Sequence, residues 1–93
     1  MSGQESAETL ALKVLGWLAE DRDRLESFMA ETGASPADLA SQAGDPAFLG
    51  AILDHLLGSD VLVIGFCQAE GLANDAPMRA RAALPGGAQW HWT

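Results

Sequence analysis

Three side chains in this 93-residue chain have the chemistry of a nucleophile, a general base or a soft metal ligand: His55, Cys67 and His91. No two of them stand at the short spacing by which zinc sites pair their ligands. A Cys67–His55 dyad would have to be assembled across two helices, whereas a lone cysteine on an apolar helix reads as a small core residue. Asp21, Asp23 and Glu26 open like a calcium loop, yet the glycine of the sharp turn and the distant bidentate glutamate are missing. Helix capping and the helix dipole account for their position instead. No serine-centred or paired-carboxylate arrangement is present. The residues therefore predict no catalytic centre, no metal site and no cofactor, and the chain reads as a non-enzyme.

The segment after Pro85-Gly86-Gly87 is less ordinary, because Trp90, His91 and Trp92 fall within four residues of the last position. Each tryptophan can bury some 150–250 Å², so the segment must place a large apolar surface somewhere. Two readings follow. The glycines let the segment turn back and staple its own bundle, or Trp90, His91 and Trp92 anchor a protein partner or a second copy of the chain. Arg79 and Arg81, just before it, could bridge to acidic neighbours or face an anion, but two arginines do not define a site.

Five basic against thirteen acidic residues give a net charge of −8. Such a surface repels phosphate backbones and anionic bilayers, which argues against nucleic acid and membrane as partners. It is an ordinary way to remain soluble, and it leaves a basic protein surface or a cation as compatible partners. One cysteine permits no internal disulfide, and the first ten residues show no basic start followed by an apolar run. Cytoplasmic localisation is the expectation. Every apolar stretch is broken by charge or glycine before it reaches the ~18 residues that span a bilayer.

The elements that must position these side chains are punctuated by cap residues and glycines at short-helix intervals. The pattern predicts an all-α single domain, a compact bundle of five to six short helices. Their spans run from Ser6 to Glu20, from the Asp21 cluster to Gly33, from Ser35 to Gly44, from Asp45 to Gly58, from Ser59 to Gly71 and from about Asp75 to Leu84. Residues 1–5 are expected to be a flexible start, 6–84 the helical domain, and 85–93 a Pro/Gly turn with an extended tryptophan-bearing tail. The first helix carries Leu10, Ala11, Val14, Leu15, Trp17 and Leu18 opposite a polar stripe of Thr9, Lys13, Gly16 and Glu20, and should be largely buried. The fourth carries Phe48, Leu49, Ile52, Leu53, Leu56 and Leu57, with Gly50, Ala51 and Asp54 expected outside; these two helices form the predicted spine. Val61 to Phe66 also reads as a buried strand. Helix is favoured, because no second strand exists to take its backbone hydrogen bonds.

Residues Ser35 to Leu57 have the apolar spacing of a helix-turn-helix, yet the segment in the recognition position, Pro46 to Leu57, has no Arg, Lys, Asn or Gln to read a base edge. A structural pair of helices is the better reading. A shift of 38 residues superimposes Leu15 on Leu53, Leu18 on Leu56, Phe28 on Phe66 and Gly33 on Gly71. Independent similarity of two glycine-stopped hairpins explains this better than duplication.

The segments WLAEDRDRLESFMAETG, SPADLASQAGDPAFLGAILDHLL, LPGG and HWT, in this order, resemble a bacterial family known as domain of unknown function 3572. The resemblance covers almost the whole chain and implies a small bacterial cytoplasmic protein, with no activity, ligand or catalytic residue attached. The leading functional expectation is a non-enzymatic interaction or adaptor module. The alternative is a small ligand- or metal-binding protein using Cys67, His55 or His91.

Overall fold

The computed structural model describes residues 3–85. Six helices follow one another: α1 (Gly3–Ala19), α2 (Arg22–Thr32), α3 (Pro36–Ser41), α4 (Pro46–Leu57), α5 (Asp60–Glu70) and α6 (Ala76–Ala82). No strand occurs among the described residues, and Val61 to Phe66 lie inside α5. The expected cap chemistry sets the boundaries. Asp21 Oδ1 accepts the Asp23 and Arg24 N–H groups at 2.9 and 3.3 Å. Ser35 and Asp38 form a reciprocal capping box, Asp45 accepts the Ala47 N–H, and Ser59 Oγ accepts the Leu62 N–H. Gly33 and Gly71 end α2 and α5 in the left-handed conformation, at φ 77° and 70°, where a Cβ would be strained.

One boundary differs from the sequence expectation, and one cap lacks a side-chain bond. The first helix begins at Gly3 rather than Ser6, because Ala7 is buried and no cap residue interrupts the preceding turn. Asp75 makes no side-chain cap bond to α6; its carboxylate instead accepts from Arg79 at 3.1 Å.

Apolar side chains of α1 and α4 form the middle of the core, as their periodicity predicts: Ala11, Val14 and Leu18 meet Ile52, Leu53 and Leu56, all with no exposed surface. Helix α1 also lies along α2 and α6, and α4 along α5, α6 and α2. Phe28 from α2 and Phe66 from α5 are wholly buried. Phe28 meets Phe48 edge-on at 6.1 Å between ring centres, and Trp17 meets Phe66 at 5.8 Å. Gly65, costly inside a helix, lets α5 approach Trp17 closely: a Cβ there would fall 3.2 Å from the indole ring. The Arg24 guanidinium also lies over that indole, 3.9 Å from the ring centre.

Residues 38 apart thus play parallel parts in the α1–α2 and α4–α5 pairs: Phe28 and Phe66 fill the core, and Gly33 and Gly71 are both left-handed caps. Helix α3 buries none of its residues. The chain's first and last described helices run together, and a Cβ built on Gly3 would touch Ala83 at 3.8 Å. Among the described residues no single helix is long and apolar enough to cross a membrane, and α4 and α5 meet at a bend of 108°.

Candidate functional site

His55 projects from α4 into the core, with its side chain only 4% exposed. Its Nδ1 stands 2.8 Å from Glu31 Oε1 at the end of α2, and its ring meets Phe28 edge-on at 5.3 Å. Glu31 is largely exposed. A proton on Nδ1 suits that carboxylate, which accepts only. The ring's Nε2 is buried and has no hydrogen-bond partner among the described residues. The pair fastens α2 to α4.

Arg81 forms the second internal polar contact. Its Nε and Nη2 donate to the two oxygens of Asp54 at 2.7 and 3.3 Å, and Nη1 donates to the Pro85 carbonyl at 3.4 Å. The bidentate fork suits a carboxylate. Gly50, expected on the outer face of α4, is instead buried, because the Arg81 guanidinium lies flat over it; a Cβ at Gly50 would come within 3.2 Å of the guanidinium carbon. Arg79, one turn from Asp75, is exposed and pairs with it. Of the two readings of these arginines, bridging to carboxylates is the one found.

Cys67 is a core residue, 1% exposed. Burial, reinforced by the Asp75 carboxylate, pushes its thiol above the usual value. Below the unfolded thiol's pKa both states are protonated and nothing is lost; at higher pH the folded state resists forming the thiolate. We expect an Ellman-type reagent at pH 8 to label the folded protein at least about tenfold more slowly than the urea-unfolded chain. Equal rates would contradict this burial. Neither His55 nor Cys67 bonds to the other, and no group of three His, Cys, Asp or Glu side chains able to hold a metal occurs among the described residues.

The remaining apolar surface lies on the outside of the bundle. Val61 and Ile64, one turn apart on α5, are 79% and 44% exposed. Asp60 and Glu70 stand exposed at the two ends of the same helix. Helix α5 packs its other side, Phe66 and Cys67, inward toward α4. An apolar trough of about 300 Å³ runs between α1 and α6 over Ala7, Leu10, Ala76 and Ala80. Ser6 and Arg79 also border it, and the lining is mostly apolar. Trp90, His91 and Trp92, the candidate partner anchors, lie outside the described residues.

Comparison with curated proteins and with solved structures finds no match. A family model described as "Protein of unknown function (DUF3572)" matches residues 4–87, which takes in all six helices but the first residue of α1 and stops short of Trp90. The chain belongs to this family.

Proposed function

We propose that this chain is a non-enzymatic protein-interaction module, acting in the bacterial cytoplasm, whose docking surface is the outer face of α5. The observation that carries the reading is the exposure of Val61 and Ile64 on adjacent turns. Scattered surface hydrophobics are ordinary, but here two β-branched residues share one face of a helix. Helix α4, which holds the recognition position of the helix-turn-helix pattern, has seven of its twelve residues buried. That burial and the absence of Lys and Arg on α4 weigh against a nucleic-acid partner. The ligand- or metal-binding alternative has less support, since Cys67 is in the core and His55 Nδ1 is engaged by Glu31.

Affinity capture from the source cells tests the reading with three baits: the full chain, the Val61→Asn/Ile64→Asn double variant, and a chain lacking residues 86–93. Both substitutions are at exposed positions and should change stability by no more than about 0.5 kcal/mol each. The double variant is expected to lose the proteins that the full chain recovers. Recovery of one set by all three baits would sink the proposal. Loss with the shortened chain alone would move the anchor to Trp90, His91 and Trp92.

A further inference from the structure

We propose that the trough between α1 and α6 seats the chain's own segment 86–93, with Trp90 and Trp92 laid into it one after the other. This intramolecular seat goes beyond the α5 docking face and does not depend on it. Gly3, Ala7 and Leu10 line the trough from one side, and Ala76, Ala80 and Ala83 from the other, each set standing on successive turns of one helix face. The space between them is about 300 Å³. An apolar cavity of about half that size holds a benzene ring, so an indole has room here.

The occupant follows from where the described residues stop. Pro85, two positions beyond Ala83, is the last of them, and its carbonyl is held by Arg81 Nη1 at 3.4 Å. Segment 86–93 therefore departs from one end of the trough. It opens with Gly86-Gly87, which permits a reversal, and then carries two tryptophans that can each bury some 150–250 Å². Extended chain advances about 7 Å in two residues and sends alternate side chains the same way. Ala80 and Ala76 are one helical turn apart, about 6 Å along the axis. Running back beside α6, the segment sets Trp90 against Ala80 and Ala7, and Trp92 against Ala76 and Leu10, while Gln89 and His91 turn to water. Arg79, exposed on the rim, offers a guanidinium to an indole face, the pairing that Arg24 and Trp17 already make. A second copy or a partner would have to compete with a segment tethered by a few residues, whose effective concentration is roughly millimolar.

Nuclear Overhauser contacts in the ¹³C,¹⁵N-labelled full chain test the seat. The indole protons of Trp90 and Trp92 are expected to contact the methyl groups of Ala7, Leu10, Ala76 and Ala80. Replacing both tryptophans with alanine should speed amide hydrogen exchange at residues 7–10 and 80–83 by about tenfold or more relative to residues 52–56. Indole contacts to Val61 and Ile64 of α5, or none to either wall of the trough, would overturn the proposal. Contacts seen only between labelled and unlabelled chains in a mixed sample would overturn it too, by making the occupant a second copy. Exchange at both walls left unchanged by the double substitution would do the same.

Discussion

Replacing Phe28 with alanine is expected to remove about 3–5 kcal/mol of unfolding free energy. A domain of this length has roughly 5–14 kcal/mol in total, so the variant should be at best marginally folded at 37 °C. Phe28 has no exposed surface, and its ring is the shared neighbour of Phe48 and of His55. Removing it deletes both edge-on contacts and opens a void beside the buried imidazole. The surrounding helices cannot close that void freely, because α2 is tied at one end by the Asp21 cap and at the other by the Glu31–His55 contact. Urea unfolding followed by circular dichroism is the check. A loss below about 1.5 kcal/mol would mean that the site collapses and that the α2–α4 contact is not part of the main core.

The second large effect is expected at Gly50. Substituting valine there should destabilise the protein by about 2–4 kcal/mol, since the Arg81 guanidinium already occupies the space within 3.2 Å of the new Cβ. Arg81 cannot yield without losing its two bonds to Asp54 and its contact with the Pro85 carbonyl. The figure is kept at the lower end of what breaking a buried ion pair costs because Asp54 is about half exposed and is rehydrated when released. Gly16 is the matched control. It is helical and exposed, and nothing lies within 4 Å of a Cβ built on it, so Gly16→Ala should gain up to about 1 kcal/mol from helix propensity alone. Thermal unfolding of the two variants side by side should move the midpoints in opposite directions. If Gly50→Val proves neutral, the guanidinium has another resting place and the α4–α6 clamp is not structural.

The helices and their ends were legible in the sequence because they are local. A cap needs only an Asp or Ser and the next three residues, and a left-handed stop needs only a glycine. Val61 to Phe66 was ambiguous as a six-residue string. It was resolved by the rest of the chain, which holds no second strand among the described residues to complete a ladder. What escaped is what depends on distant partners. Glu31 and His55 are 24 positions apart, and Asp54 and Arg81 are 27 apart, so neither pairing leaves a periodic trace. Asp54 was read correctly as facing outward. Gly50 was read wrongly, for a small residue on a polar face looks the same whether water or a guanidinium lies over it. The exposed side of α5 escaped for the same reason: a continuous apolar run says that a segment can be covered, and only the packing of its neighbours decides which half is.

The meeting of Gly3 with Ala83 means that the two ends of the helical unit depart from one spot on its surface. A unit of this geometry can be spliced into a surface loop of a larger protein, or its ends joined by a short glycine-rich bridge and new ends opened elsewhere. Little loop-closure entropy is added in either case.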